Sequence, residues 1–140
     1  FTAALNPTAY MVPLGAGLRL SGDPEAQRAA VIDLAAHGEK TFRSLDLRGA
    51  GLEGLDLSDA DLRGTDLSQA SLRGTDLSGA RLGAANLAEA DLSQADLFDA
   101  DVASAQGFES ARCDLGTVLP RSFACEEGRV YRVGPSSPNH

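Results

Sequence analysis

"ADLRGTDLSQASLRGTDLSGA", residues 60–80, places a leucine at every fifth position: Leu62, Leu67, Leu72 and Leu77. A period of five suits neither regular structure. On a helix of 3.6 residues per turn each step of five drifts by about 140°, so no apolar stripe forms. In a flat strand an odd spacing sends successive leucines to opposite faces. If all the leucines are to point one way, the chain must turn a corner once in every five residues.

Stepping by five from Leu62 in both directions gives Phe42, Leu47, Leu52, Leu57, Leu62, Leu67, Leu72, Leu77, Leu82, Leu87, Leu92, Leu97 and Val102. Two residues before each centre the side chain is usually small: Ala at 50, 60, 70, 80, 85, 90, 95 and 100, and Thr at 65 and 75. Lys40, Leu45 and Leu55 are the exceptions. Small and central positions are two apart, so within a short extended segment they share a face. Gly49, Gly54, Gly64, Gly74 and Gly79, each two residues past a centre, supply the backbone freedom of a corner. Turning repeatedly in one sense makes an all-β solenoid. Each unit is too small to bury its own apolar face, and stability comes from stacking on its neighbours.

The pattern A-[DN]-L-x-x, as in Ala60-Asp61-Leu62-Arg63-Gly64 and Ala90-Asp91-Leu92-Ser93-Gln94, resembles the pentapeptide-repeat family. The resemblance covers residues 40–104. It implies a short right-handed quadrilateral β-helix of about three coils, four units per coil, with the thirteen centres as its core stack.

Around the solenoid the expected organisation is an N-terminal α-helical cap and an irregular C-terminal cap. Asp23-Pro24-Glu25 reads as a helix start. Val31, Ile32, Leu34 and Ala35 are then available for burial, and Gly38 is a natural stop. A capping helix over 23–39 would cover the open first coil, and residues 1–22 read as an extended arm. Past Val102 the frame fails, since Gly107 and Arg112 cannot fill a core. Cys113-Asp114-Leu115 resembles one more unit displaced by three residues. Phe108, Val118, Leu119, Phe123, Val130 and Val133 offer apolar cover within a cap over 105–134, and 135–140 reads as a frayed tail. Cys113 and Cys125 read as two small buried thiols; the other reading, a disulfide, would contribute about 2–3 kcal/mol in an oxidising compartment.

The net charge of −8 argues against direct contact with nucleic-acid backbones or anionic membranes. No run of 18 apolar residues exists, so no membrane span is expected. Only His37 and His140 are present, and no nucleophile, zinc or phosphate-loop motif occurs. The expectation is therefore no enzyme, no catalytic residue, no metal and no cofactor. Phe1 in place of Met reads as a processed or trimmed chain. The cytoplasm is favoured as compartment, with the periplasm and the exterior left open.

The position before the centre is Asp eight times and Asn once. With a coil of 20 residues, Asp56, Asp76 and Asp96 form one vertical ladder, Asp46, Asp66 and Asn86 a second, and Asp61, Arg81 and Asp101 a third. Carboxylates stacked at about 4.8 Å repel by under about 1 kcal/mol each in water. Hydrogen bonds to corner amides offset that, so the periodic aspartates read as holding the turns. A calcium ladder lacks its motif. Within the repeat, basic residues end at Arg81 and none occurs over 82–104, while Glu89, Asp91, Asp96, Asp99 and Asp101 follow, so the C-terminal end of the solenoid is expected to be purely acidic. Phe98, an outward aromatic on the Asp56 side, reads either as a contact of the C-terminal cap or as an anchor in an acidic patch. The candidate partner-binding residues are thus Asp56, Asp76, Asp96, Phe98, Asp99 and Asp101. The function expected is a non-enzymatic protein–protein interaction or scaffold module with an acidic surface, docking on a partner protein or within a larger assembly. The alternative, implied by the resemblance, is a DNA-mimic protein of the quinolone-resistance type that binds DNA gyrase or topoisomerase.

Overall fold

The computed structural model describes residues 24–133, with helix side chains from Arg28 onward. The expected N-terminal arm, the Asp23 cap and the 135–140 tail lie outside the described residues.

Parallel one-residue bridges, twenty apart as far as Gln106 and then 21 and 22 apart at Arg112 and Val118, define four faces. They run Thr41–Asp61–Arg81–Asp101, Asp46–Asp66–Asn86–Gln106, Gly51–Ser71–Asp91–Arg112 and Asp56–Asp76–Asp96–Val118. Each face therefore carries four rungs, and a fourth coil is added to the three expected. Between coils the bonding repeats without change: the Leu62 amide donates to the Arg81 carbonyl and the Arg81 amide to the Ala60 carbonyl, both at 2.8 Å. Every leucine centre is at most 1% exposed, Phe42 is 0% and Val102 3%, so the core stack is as the period requires. Burying a leucyl side chain contributes about 1.5–3 kcal/mol, which makes this column the main stabilising term.

From Leu47 onward the corners are closed by a bond from the residue three past each centre, as Ala70 N–H to Leu67 C=O at 3.0 Å; at the first corner Leu45 N–H donates to Thr65 Oγ1 instead. All twelve corner residues from Ser44 to Asp99 have φ between +58° and +73°. That is the third position of a type II turn, which demands left-handed backbone. Only five of them are glycine; Ser44, Asp59, Gln69, Ala84, Glu89, Gln94 and Asp99 adopt the same conformation with a side chain. Threonine in the small slot adds a buried bond. Thr65 Oγ1 donates to Phe42 C=O at 2.5 Å, and Thr75 Oγ1 to Leu52 C=O at 2.7 Å.

The end of the repeat differs from the expectation in a definite way. One residue is inserted after Gln106 and a second before Val118, so the units lengthen from five residues to six. Gly107 absorbs the first at φ +69°, where a Cβ would lie 2.7 Å from the Ala88 backbone, and Phe108 enters the core in its place. The displacement at the next unit is therefore one residue, not three. Ala111 and Cys113 occupy the small and central slots, and Leu115, expected to be central, is fully exposed. Thr117 Oγ1 donates to Leu92 C=O at 2.8 Å, the bond made by Thr65 and Thr75, which places Leu119 in register. The solenoid thus continues well beyond residue 104.

The C-terminal cap is regular where an irregular one was expected. β1 (Phe123–Glu126) and β2 (Arg129–Arg132) form an antiparallel hairpin with register Phe123–Arg132 to Glu126–Arg129. Its two-residue loop, Glu127-Gly128, has positive φ at both positions, as a type I′ turn requires. The hairpin folds back on the fourth coil through Cys113 N–H to Gly128 C=O and Val130 N–H to Ala111 C=O. Val130 is buried, and the Phe108 and Phe123 rings meet edge to face at 4.8 Å. Val118 and Val133, expected as cover, are instead exposed. Cys113 and Cys125 are joined in a disulfide, Cα atoms 5.9 Å apart. The expected free thiols are corrected because the six-residue unit turns Cys113 inward just where β1 crosses.

At the other end α1 (Pro24–Ala36) stops at Gly38, φ +80°. Glu39 N–H bonds back to Leu34 C=O and Gly38 N–H to Ala35 C=O, the paired bonds of a Schellman stop. Ala30, Val31 and Leu34 form its buried side, and Val31 and Leu34 join the cluster of Phe42 and Leu45. Ile32 points outward, since one step along a helix rotates it by about 100° from Val31.

Candidate interaction surface

Each outward residue before a centre sits on a rung whose backbone is fixed from above and below. A carboxylate or amide there accepts the N–H two residues on. The bonds are Arg48 to Asp46, Ser58 to Asp56, Arg63 to Asp61, Ser68 to Asp66, Ser78 to Asp76, Ala88 to Asn86, Ser93 to Asp91, Phe98 to Asp96 and Ala103 to Asp101. Several also take the neighbour's side chain. Ser78 Oγ donates to Asp76 Oδ1 at 2.6 Å, and the Arg63 guanidinium is bidentate on Asp61 at 2.7 and 2.8 Å. The side-chain bond from Arg63 leads in holding Asp61 down to about 2, and the Ser58 hydroxyl leads in lowering Asp56. At Asp91 burial pushes upward, and the bonds from Ser93 and Arg73 overcome it. The corner amides consume acceptor capacity and leave the charge in place.

Asp56, Asp76 and Asp96 stand rung upon rung on one face, with Lys40 Nζ 4.0 Å from Asp56 at its lower end. Phe98 lies at the edge of that face and is 61% exposed. Val118 continues the face upward, and Leu115 projects from the corner before it. Asp99 and Asp101 are not part of this ladder. They line a cleft with Pro120, Arg121, Ser122 and Arg132. The candidate residues therefore divide between a lateral face and the upper rim.

The C-terminal end is not purely acidic. The fourth coil and the hairpin bring Arg112 above Asp91, Arg129 within 3.6 Å of Glu89, and Arg121 and Arg132 to the cleft of Asp99 and Asp101. Arg132 also lies over the Phe123 ring at 4.8 Å. A charge count that stops at residue 104 omits all four; the signal was the arginine content of 105–134. Among the described residues no group of three or more His, Cys, Asp or Glu side chains is placed to hold a metal ion. No helix among them is long and apolar enough to cross a membrane.

A family model for pentapeptide repeats matches in eight copies over residues 42–79 and 75–106. Among solved structures, a pentapeptide repeat protein from the Arabidopsis thaliana thylakoid lumen is 37% identical; the match covers 53% of this chain and 50% of that one, with a TM-score of 0.45. A pentapeptide repeat protein from the cyanobacterium Cyanothece 51142 is 27% identical over 56% of this chain and 60% of its own, with a TM-score of 0.34. One from Nostoc Pcc 7120 is 32% identical over 69% of this chain and 87% of its own, with a TM-score of 0.26. The chain thus spans half of the first and three-fifths of the second. No curated protein matches it.

Proposed function

This chain belongs to the pentapeptide-repeat family, whose fold is the right-handed quadrilateral β-helix, and on that premise we propose that it is a non-enzymatic interaction module that docks a partner protein on the Asp56 face. In this reading α1 and the hairpin are caps that keep the two ends of the core from stacking on other chains. The observation that carries it is the Asp56–Asp76–Asp96 ladder on a fixed backbone with Phe98 61% exposed beside it. A rigid face loses little conformational entropy on binding, and an exposed aromatic beside charge is the usual make-up of an anchor.

A DNA mimic is the weaker reading. Four rungs span about 15 Å, a length over which duplex DNA carries about nine phosphates. The solenoid has arginines on its lower coils, and its fourth coil and cap add four more near the upper end. The disulfide supports an oxidising compartment over the cytoplasm.

Capture from the source extract with the wild-type chain and with a Phe98→Ser, Asp76→Lys double variant tests the proposal. A partner identified by mass, held by the first and lost by the second, is the expected result. Inhibition or protection of gyrase at micromolar chain in a supercoiling assay would overturn it in favour of the mimic.

A further inference from the structure

Half of the large apolar side chains left exposed among the described residues stand on one face of the solenoid. Phe98, Leu115 and Val118 belong to the upper end of the Asp56 face, while Ile32, Tyr131 and Val133 are spread over α1 and the C-terminal cap. Single exposed apolar residues are ordinary, but a group of them bordered by charge marks a contact surface. Phe98 stands above Ser58 and Ser78 in the column beside the ladder, so the apolar group begins abruptly at the third rung.

The acids beneath it lack the partners that other ladders have. Arg48 serves Asp46 and Asp66, Arg63 holds Asp61, Arg73 reaches Asp91 at 3.4 Å, and Asp101 stacks directly above Arg81. No arginine pairs with the Asp56 ladder among the described residues, and Lys40 reaches only its lowest rung. Asp56, Asp76 and Asp96 each commit Oδ1 to the amide two residues on, and Oδ2 accepts nothing from any described residue. Ascending the face, a partner therefore meets three carboxylates and then a valine flanked by Phe98 and Leu115.

The spacing of these rungs says what kind of chain fits. At strand separation Asp56, Asp76, Asp96 and Val118 lie at heights of about 0, 4.8, 9.6 and 14.4 Å. An α-helix laid along the solenoid axis, rising about 1.5 Å per residue, places i, i+3, i+7 and i+10 at about 0, 4.5, 10.5 and 15 Å, all within about 80° of arc. An extended strand laid the same way repeats on one side every 6.6 Å or so and is out of step by the second rung. A second copy does not supply the helix, since the one basic residue of α1 is Arg28, already paired with Glu53.

We propose that the Asp56 face docks an amphipathic helix of a partner protein that carries Lys or Arg at i, i+3 and i+7 and a large apolar residue at i+10. The basic residues meet the free Oδ2 atoms, and the apolar one seats on Val118 between Phe98 and Leu115. This rests on the interaction-module reading and gives its face a class of partner.

The test uses a blocked, Ala-rich peptide of about 18 residues, long enough to hold a helix, with Lys at i, i+3 and i+7 and Leu at i+10. A second peptide of the same composition spreads its lysines around the helix. Each is titrated into the isotope-labelled full chain and followed by amide NMR. The Ser78, Phe98 and Val118 amides are expected to shift while Ser68, on the opposite face, does not. The patterned peptide is expected to bind at least about fivefold more tightly than the spread one, and Asp76→Asn to weaken it about two- to fivefold. Leu115→Ser, at a fully exposed position, should weaken it about three- to tenfold, as half burial of a leucine implies. Equal binding of the two peptides overturns the proposal, as does binding unaltered by Leu115→Ser, which would be charge attraction alone. No response at Phe98 with millimolar peptide also overturns it. Each of these leaves partner capture through the Asp56 face standing, whereas capture unaffected by Phe98→Ser with Asp76→Lys overturns the face and the helix together.

Discussion

Asp76 separates the two roles an acidic ladder can have. Its Oδ1 accepts the Ser78 amide at 3.0 Å and the Ser78 hydroxyl at 2.6 Å, on a half-buried rung between Asp56 and Asp96. Asp76→Ala removes the acceptor. The hydroxyl turns to water at little cost, but the corner amide loses its partner, and a capping bond of this kind contributes about 1 kcal/mol. Asp76→Asn keeps the acceptor and removes the charge. It gives up some charge-assisted bond strength and gains relief from two neighbours about 4.8 Å away, each worth under about 1 kcal/mol before salt screening. The terms nearly cancel, so the Asn variant is expected within about 0.5 kcal/mol of wild type. For a chain of this size 1 kcal/mol moves the thermal midpoint by about 3–4 °C. Thermal unfolding by circular dichroism should therefore show a drop of that order for Ala and almost none for Asn. Raising the salt should erode any gain of the Asn variant while leaving the Ala deficit. If Asn is as damaging as Ala, charge and not corner bonding is what the ladder supplies. If Ala is neutral, the aspartates do not hold the turns, and the structural account of them fails.

Gly74 has φ +67° with open space where a Cβ would go, so Gly74→Ala should cost only the left-handed strain less the entropy recovered from the unfolded chain, about 0.5–1 kcal/mol. Gly107→Ala adds a Cβ 2.7 Å from the Ala88 backbone, and its denaturant midpoint should fall at least twice as far. In reverse, Ala84→Gly, at φ +58°, should raise that midpoint slightly. Asp61 is held at about 2, below its ordinary 3.8, so its contribution is complete above about pH 4 and is lost as the pH falls through that interval. Asp61→Asn should therefore be less stable at neutral pH, and the two stability curves, measured by urea titration, should converge towards pH 2; parallel curves would refute the pairing. Serine at both Cys113 and Cys125 should lower stability by about 3 kcal/mol from loop closure, and the wild-type chain unfolded without reductant should take up no maleimide.

The architecture was readable because one observation, an apolar centre at a period of five, is repeated thirteen times, eleven of them leucine, and admits one solution. The register was lost where a single residue broke that repetition. Gly107 and Cys113 both occupy places that a search for leucine rejects, yet each is positioned by a physical cue: a left-handed glycine, and an Ala-Arg-Cys triplet with the small and central residues two apart. The seven side-chain-bearing corners were unreadable because their strain is imposed by stacking, which no local propensity expresses. The hairpin did have a signal in Glu127-Gly128 between two short alternating runs. At the candidate surface, Asp56, Asp76 and Asp96 were placed on one face by arithmetic alone. The arginines that temper the upper rim arrive by a chain reversal that arithmetic does not contain.

The disulfide governs how the molecule comes apart. In a solenoid each rung touches only its neighbours, so opening behaves as in a one-dimensional array and starts at the ends, where a rung has one neighbour to lose instead of two. A covalent tie between Cys113 in the last coil and Cys125 in the hairpin prevents the upper end from peeling while it stays oxidised. The lower end has α1 and its few apolar contacts instead. Fraying is thereby made one-directional. Amide exchange should advance from the Phe42 coil towards the Leu97 coil, and reduction should let it enter from both sides.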